Sequence, residues 1–449
     1  MKLLILKAAA VGALTLVLLI ALGMVRGVVF ERQALQQQVE ANIAETSAGA
    51  QTLTGPVLVV PYRERVVEWE QDPKGENKAV TREYERRAVF VPEMLVIDGK
   101  ANVTPRRRGL YRALQYTLTG RLDATFKVPA NLGLGHPRTD ITVEPAFLAF
   151  GITDVRGFQS PPQFEWNGTA LTPEPGTSYA PLGAGIHANI GSLDTSREQV
   201  FELRTKLDVL GLGSLSVTPV GKTTTMLLDS PWPHPSSIGR FLPRAKADGE
   251  SYFPATWIVS QLANNAAATL IARGDAAPTQ GLDHFGVAFI EPVNVYLQSE
   301  RALKYGVLFI GLTFAAFFLF ELLRRLRIHP LQYGLVGLAL TIFYLLLVSM
   351  SEHVDFPVAY IAASSACVIL LTYYLSHVLG GWRPGVAFGS QLALLYGVLY
   401  GLLQSEDNAL VLGSVLLFVI LAIVMVITRR IDWYALTERM VPADGTAES

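Results

Sequence analysis

Cysteine is almost absent from the sequence, which contains only Cys367 among its 449 residues. A single thiol cannot form an intrachain disulfide, so any domain exposed to an oxidising compartment must fold by burial alone. The sequence also has no excess of charge of either sign, because its formal net charge is −1. The chain therefore lacks the broad basic surface of a nucleic-acid-binding protein, and we expect no nucleic acid among its partners.

Signatures of catalysis and metal binding are missing as well. The seven histidines are scattered, and none forms an H-x-x-x-H or H-x-H pair, the spacings that typically bind a metal. The stretch "GLGSLS" (211–216) is not a G-x-S-x-G nucleophile elbow. The phosphate-binding pattern G-x-x-x-x-G-K-[ST] does not occur, which excludes a nucleotide-driven pump on this chain. The sequence predicts a non-enzymatic protein without catalytic residues, cofactor or metal.

Long hydrophobic runs are what the sequence does contain. Hydrophobic residues make up 50% of the chain, and a bilayer core of about 30 Å needs roughly 20 helical residues to cross it. Six segments are long and apolar enough: 4–25, 305–323, 331–350, 357–376, 386–404 and 410–428. None has a charged residue in its middle third. The sequence therefore predicts six transmembrane helices.

The basic residues beside these segments predict the orientation. Cytoplasmic loops are enriched in Lys and Arg. The residues that fall on one common side are Lys2, Lys7, Arg324, Arg325, Arg327, Arg383, Arg429 and Arg430. The alternate loops, "SEHVDF" (351–356) and "SEDNA" (405–409), contain acids without Lys or Arg. We therefore expect both termini in the cytoplasm and residues 27–302 on the opposite side of the membrane, with Arg26 as the one exception to the rule.

The first segment has an alternative interpretation. The small residues of "ALG" (21–23) could mark the cleavage site of a signal peptide. The apolar run continues through Val25, however, and Leu35, Val39 and Ile43 repeat at helical spacing beyond it. An uncleaved helix is favoured, and cleavage would leave the large domain on the same side of the membrane.

Between residues 53 and 298 the pattern changes to period two. Stretches such as "YERRAVFVPEMLVI" (84–97) and "LQYTLTGRLDATFKV" (114–128) alternate apolar and polar residues, which is typical of β-strands. "WNGT" (166–169) predicts a hairpin turn, "DPKGENK" (72–78) an exposed hairpin loop, and 255–272 a helix. The predicted fold class is an α+β membrane protein in which a large, mostly antiparallel, sandwich-like β domain lies between helices 1 and 2.

Four regions follow from these patterns. The first transmembrane helix occupies 1–30, the extracytoplasmic β-rich domain 31–300, a five-helix transmembrane block 301–436, and a cytoplasmic tail 437–449.

Two stretches provide the candidate interaction residues. "SPWPHPSSIGRFLP" (230–243) contains four prolines with Trp232 and His234. It predicts a stiff surface segment that supports the sheet, or alternatively a partner-binding strip. In the loop "SEHVDF", Glu352, His353 and Asp355 could bind a divalent cation or a proton, although a solvated acidic loop is the commoner arrangement.

Polar and small residues in the membrane segments indicate packing rather than transport. Glu321 lies near the end of its segment, where we expect a boundary carboxylate beside Arg324 and Arg325. No acidic or basic residue lies at a midplane, where ion and proton pathways usually place one. Gly397 and Gly401 form a G-x-x-x-G pattern, which allows two helices to approach closely.

Several long motifs resemble a known family. The sequences "SPWPHPSSIGRFLP", "RALKYGVLFIGLTFAAFFLFE" (301–321), "HPLQYGLVGLAL" (329–340), "FYLLLVSMSEHVDFPVAYIAA" (343–363) and "RRIDWYAL" (429–436) are similar to those of the CreD inner-membrane proteins. The resemblance implies a protein of the bacterial inner membrane, with residues 27–302 in the periplasm and the β-rich domain 31–300 periplasmic. It also implies a role in cell-envelope integrity under a carbon-source-responsive two-component system, linked to colicin tolerance and altered β-lactam response. It implies no reaction, cofactor or catalytic residue.

Three functional hypotheses remain open. The first is a non-enzymatic envelope protein whose β domain contacts a periplasmic, inner-membrane or cell-wall partner. The second is a transporter or lipid-handling protein with a path lined by Ser364, Gln391 and Tyr400. The third is an envelope enzyme, which would require a cleft holding His234 or His353 beside a carboxylate.

Overall fold

The structure is a computed structural model that describes residues 2–71, 77–134, 140–246, 253–273, 281–291, 295–324, 328–405 and 409–429. The chain divides into two compact units. A helical unit comprises Met1–Leu35 and Val293–Ser449, and a β unit comprises Gln36–Pro292.

Seven α-helices occur in the described residues: α1 Lys2–Thr46, α2 Ala266–Arg273, α3 Val295–Arg324, α4 Pro330–Ser351, α5 Phe356–Val378, α6 Trp382–Gln404 and α7 Ala409–Thr428. Each of the six predicted spans falls within one of these helices. Five of them (α1 and α3–α6) are long and apolar enough to cross a bilayer, whereas α7 contributes a shorter apolar stretch, Val411–Val426. The predicted α+β membrane protein is confirmed.

Aromatic and small residues hold the helical unit together. The rings of Phe309 and Phe343 each lie 4.6 Å from the ring of Tyr396, and all three side chains are buried. Gly337 of α4 leaves space for Leu18 of α1, because a Cβ there would lie 2.1 Å from a Leu18 methyl group. Close helix packing through small residues is typical of membrane proteins, where hydrophobic exclusion from water does not drive helix association.

Seventeen strands occur in the described residues of the β unit: β1 Gln51–Gln71, β2 Asn77–Phe90, β3 Met94–Arg108, β4 Tyr111–Val128, β5 Ile141–Val143, β6 Ala146–Ile152, β7 Phe164–Trp166, β8 Thr169–Leu171, β9 Glu174–Pro175, β10 Gly185–Gly191, β11 Gln199–Leu212, β12 Ser214–Thr218, β13 Thr223–Ser230, β14 Pro235–Gly239, β15 Ala245–Lys246, β16 Phe253–Ser260 and β17 Phe285–Phe289.

These strands form two sheets. The nine-stranded sheet has the order β14-β17-β12-β1-β6-β10-β9, with β2 and β5 also paired to β1. The eight-stranded sheet has the order β15-β16-β13-β3-β4-β11-β7-β8. Two pairings are parallel, β1 with β12 and β3 with β13, and the other described pairings are antiparallel.

One hydrophobic cluster joins the two sheets. It contains Val57 and Leu148 from the nine-stranded sheet and Leu118, Phe126 and Met226 from the eight-stranded sheet, all 0% exposed. Along β4, alternate residues face this core, as the period-two pattern requires. The unit is therefore a layered β structure built without a disulfide, as the single buried Cys367 in α5 already required.

The local predictions had mixed outcomes. The "WNGT" hairpin is confirmed, because β7 pairs with β8 and the turn residues Asn167 and Gly168 have φ values of 48° and 78°. The helix predicted over 255–272 is wrong in its first half. Residues Phe253–Ser260 form β16, with Ala255, Trp257 and Val259 buried on one face, and the helix there is confined to α2. Most of the predicted 72–78 loop lies outside the described residues.

Candidate functional site

The proline-rich strip 230–243 supports the edge of the nine-stranded sheet. Its β14 segment pairs antiparallel with β17, and Trp232 Nε1 donates to the Ile290 carbonyl at 3.0 Å. Trp232 packs against the core, whereas His234 is exposed. Gly239 is required at its position, because its φ is 87° and a Cβ would lie 2.1 Å from the His284 carbonyl oxygen.

The loop that contains Glu352, His353 and Asp355 distributes these side chains to different neighbours. Glu352 lies 3.3 Å from Arg32 Nε and accepts a hydrogen bond from Tyr296 Oη at 3.2 Å. The Nδ1 atom of His353 lies 3.1 Å from the Ser349 carbonyl oxygen, and Asp355 precedes α5. Across the described ranges, no group of three or more His, Cys, Asp or Glu side chains is placed to hold a metal. Glu352 instead connects α1, α3 and α4.

A second ionic contact explains the exceptional Arg26. Its guanidinium lies 3.8 Å from Glu300 of α3, and Glu300 is also 3.2 Å from Lys304. Arg26 further covers the ring of Phe30 at 5.3 Å. A positive charge with these neighbours has a packing role at the end of the first span, in addition to any effect on orientation.

Glu321 connects the ends of α3 and α4. Its carboxylate accepts a hydrogen bond from the buried Tyr333 hydroxyl at 2.8 Å and one from the Ile328 amide at 3.4 Å. The predicted neighbours Arg324 and Arg325 have side chains outside the described residues. Glu321 thus links the last turn of α3 to the start of α4, a contact that spacing along one helix could not reveal.

The G-x-x-x-G prediction selected the wrong glycines. A Cβ at Gly397 or Gly401 would meet nothing within 4 Å. In contrast, a Cβ at Gly385 would lie 2.6 Å from Ser376 Cα, and one at Gly389 would lie 2.0 Å from Thr372 Oγ1. The close contact between α5 and α6 is therefore made at Gly385 and Gly389, which have the same spacing in the sequence.

The residues named for a transport path have local partners. Ser364 Oγ donates to the Ile361 carbonyl in its own helix at 3.2 Å, and the Tyr400 hydroxyl accepts from Gln404 Nε2 at 2.9 Å. Gln391 is exposed on α6. None of the three lines a cavity described here.

A junction that the sequence did not reveal joins the end of α1 to the sheets. The Arg156 guanidinium donates to the Glu45 carbonyl and, at 3.2 Å, to the Ala44 carbonyl, so it caps the C-terminus of α1. Arg156 is held by Asp154, with Nη2–Oδ2 at 2.6 Å. Hydrogen bonds from Arg156 lower the pKa of Asp154, although its partial burial acts in the opposite direction.

Gln51 completes this junction. It is 1% exposed, and its Nε2 donates to the carbonyls of Asp154 at 3.0 Å and Leu210 at 3.1 Å. Its Oε1 accepts from the Asp154 amide at 3.1 Å. The first residue of β1 is thus fixed by three hydrogen bonds, five residues after the end of a 45-residue helix.

The eight-stranded sheet has a groove of about 1230 Å³ on the face directed away from the core. We call it the sheet groove. Its floor is formed by β4 and β11 and continues into the β7–β8 hairpin, because β7 pairs with β11. Ser160–Gln163 also line it. The floor side chains are polar or charged: Arg121, Asp123, Thr125, Glu202, Arg204 and Lys206. No residue of the proline-rich strip lines it.

Charges of both signs alternate across this floor. Asp123 lies opposite Arg204 in the strand register, whereas Arg121 lies opposite Lys206. The Arg121 guanidinium forms ion pairs with the carboxylates of Asp98 at 3.3 Å and Asp123 at 3.6 Å. Like charges directly opposite each other destabilise a sheet, and the two aspartates offset the repulsion between Arg121 and Lys206. The sheet groove is therefore lined by paired charges of both signs.

Comparison with known proteins places these features in a family. The family described as inner membrane protein CreD matches residues 3–434. Inner membrane protein CreD of Escherichia coli (strain K12) is 41% identical over 420 residues, which cover 94% of this chain and 91% of that protein.

A solved structure from Legionella pneumophila (strain Philadelphia 1) aligns with 50% of this chain and 77% of its own at 7% identity. Its TM-score is 0.21, so it supports no argument about fold or function. The family match and the full-length relative agree, and the chain belongs to the inner membrane protein CreD family.

Proposed function

We propose that this chain is a non-enzymatic, multi-pass envelope protein whose β unit binds a periplasmic or wall-associated partner in the sheet groove. The observation that carries the proposal is the groove itself, which has a volume of about 1230 Å³ and is lined by charged and hydroxyl side chains. Concave sites with a small number of convergent polar groups are where proteins usually bind ligands, and Pro161 and Pro162 line this one beside the charged strands.

The orientation in this proposal rests on the basic residues. Lys and Arg are concentrated at the segment ends that fall on one common side of the membrane. The loops at 351–356 and 405–409, on the other side, lack them. By the positive-inside rule, both termini lie in the cytoplasm and the β unit lies in the periplasm. The exceptional Arg26 has ionic and aromatic neighbours within the helical unit, which supports a packing role for that charge.

Membership of the inner membrane protein CreD family supports a role in the cell envelope. CreD-type proteins are expected to act in envelope integrity under two-component control, with effects on β-lactam and colicin response. The short loops between the described membrane helices offer little surface to a cytoplasmic partner. A ligand in the sheet groove is therefore the more direct input to the protein.

Site-specific photocrosslinking in intact cells tests the proposal. A photoreactive amino acid replaces Thr172 in the groove, and the matched control replaces Thr81, an exposed threonine of β2 outside the groove. We expect one discrete crosslinked species from position 172, its loss in a Lys206→Glu background, and no such species from position 81.

Two outcomes would contradict the proposal. Equal crosslinking at both positions would show nonspecific contact, and an unchanged product in the Lys206→Glu background would place the ligand outside the groove. As an independent control for orientation, a membrane-impermeant maleimide should label the introduced thiol of a Thr172→Cys, Cys367→Ser double variant without disruption of the inner membrane.

A further inference from the structure

The helical unit has an apolar groove between α4 and α5, with a volume of about 330 Å³. Two small side chains, Ala339 and Ala366, face it, and larger aliphatic side chains such as Leu338, Ile342 and Leu370 form its rims. These three rim residues are 45%, 44% and 58% exposed. The groove therefore opens on the apolar outer surface of a helix pair long and hydrophobic enough to span a bilayer.

The thiol that lines the groove is already bonded within the protein. Cys367 lines it, but its Sγ contacts the Ala339 carbonyl at 3.6 Å and accepts from the buried Tyr396 hydroxyl at 3.2 Å. A ligand in the groove would thus meet hydrocarbon along its walls. Water in such a site would lack the two to four polar partners that a buried water needs.

The length of the groove matches one leaflet. The lining residues of α4 run from Leu335 to Leu346, a distance of about 16 Å at 1.5 Å per residue. This is about half of a 30 Å hydrocarbon core. The groove begins close to the start of α4 at Pro330 and, on α5, reaches Tyr374 near the C-terminal end of that helix, where tyrosines commonly mark the membrane interface.

We propose that this groove is a binding site for one acyl chain of a bilayer phospholipid, in the leaflet that meets the α3–α4 connection. The small side chains of Ala339 and Ala366 leave the volume that the chain fills, and the aliphatic rims supply its van der Waals contacts. A straight acyl chain requires no polar contact within the hydrocarbon depth, which agrees with the bonded state of Cys367. This site does not depend on what the β unit binds.

Photolabelling of the full chain in nanodiscs tests the proposal. The probe is a phosphatidylcholine with a diazirine at mid-chain, diluted in unlabelled phospholipid, and the labelled residues are mapped by mass spectrometry. We expect label concentrated on the α4 and α5 residues of the groove. Filling the groove with Ala366→Trp should lower that labelling about tenfold, which corresponds to about 1.4 kcal/mol of binding free energy.

The matched control is Ala387→Trp, at an exposed alanine of α6 outside the groove, which should leave the labelling unchanged. Ala339→Trp repeats the test from the other helix in case the first variant does not fold, as judged by thermal unfolding. Uniform labelling of all lipid-facing helices in the unaltered chain would overturn the proposal. So would crosslinks in the groove to a second copy of the chain in place of lipid.

Discussion

Ile369 of α5 and Val67 of β1 are both aliphatic residues with most of their surface exposed, 68% and 57% respectively, but their surroundings differ. Ile369 belongs to a helix whose exposed residues also include Ile361, Leu370 and Tyr373. Val67 follows Arg65, which pairs with Glu83 on the neighbouring strand. The exposed side chains beside Ile369 are thus apolar, whereas those beside Val67 include paired charges. Equal exposure therefore means lipid contact in one unit and water contact in the other.

The two units also differ in the side chains that they bury. The β unit buries aliphatic and aromatic side chains such as Leu118 and Phe126 between two sheets, an arrangement that the hydrophobic effect favours in water. The helical unit places tyrosines at its centre, and the Tyr360 hydroxyl donates to the Tyr396 carbonyl at 2.7 Å. Glycines allow its helices to approach closely. Packing and hydrogen bonds replace the hydrophobic effect inside lipid.

A lysine at each of the two exposed positions gives the largest expected contrast. Ile369→Lys places a charge near the middle of α5, which costs about 3 kcal/mol of membrane insertion free energy. Val67→Lys should change the free energy of unfolding by no more than about 0.5 kcal/mol, since that side chain contacts water. The measurements are the fraction of protein integrated into the membrane and thermal unfolding in nanodiscs. Similar losses in both variants would show that Ile369 does not face lipid.

An alanine substitution in each of the two glycine pairs of α6 tests which pair packs against a neighbouring helix. Gly385→Ala should destabilise the α5–α6 contact by about 1–3 kcal/mol, because the new Cβ would lie 2.6 Å from the backbone Cα of Ser376. Gly397→Ala has the same chemistry in the same helix, but its Cβ would meet nothing within 4 Å. We expect its stability to be unchanged or slightly raised. Thermal unfolding in nanodiscs distinguishes the two, and equal effects would contradict the packing described here.

The smallest effect is expected at the junction of the β unit. Asp154→Asn keeps a side-chain oxygen but removes the charge beside Arg156, which should cost about 0.5–1 kcal/mol near neutral pH because Arg156 is half exposed. The pKa of Asp154 is lowered in the folded protein. Its stabilising effect is therefore fully present above the unfolded-state pKa of about 4 and is lost as the pH falls below it.

The measurement is urea unfolding followed by tryptophan fluorescence from pH 3 to 7, in steps of roughly half a unit across the window that the carboxyl pKa defines. The stability gap between the two proteins should close at the acidic end. A gap that stays constant with pH would show that the charge on Asp154 has no part in the junction.

Much of the fold was predictable because its causes are local. The length of an apolar run defines a span, alternation of residue type defines a strand, and Asn167-Gly168 defines a turn. The error over 255–260 has the same origin. That segment carries both patterns, and its pairing with β13 decided in favour of a strand. The pairing partners lie 27 to 37 residues away, from Leu228 opposite Ala255 to Thr223 opposite Ser260, where no local pattern can reveal them.

The candidate sites were less predictable, since each depends on distant residues. Trp232 and Glu352 were identified from odd composition and local clustering, but their contacts with Ile290 and Arg32 required the tertiary structure. Arg156 gave no signal, because only the fold brings it to the end of α1. The sheet groove was equally hidden, since Arg121 and Lys206 are ordinary solvent-facing residues of two separate strands.

The sequence alone determined which segments are apolar enough to leave water, which segments alternate, and that no disulfide could support the β unit. Those properties depend on residue type and spacing within about 20 positions, the reach of one helix or strand. Tertiary structure decided which glycines let α5 approach α6, which arginine caps α1, and where each unit has a groove. These outcomes depend on contacts between residues far apart in the chain, and such contacts form only when whole elements pack.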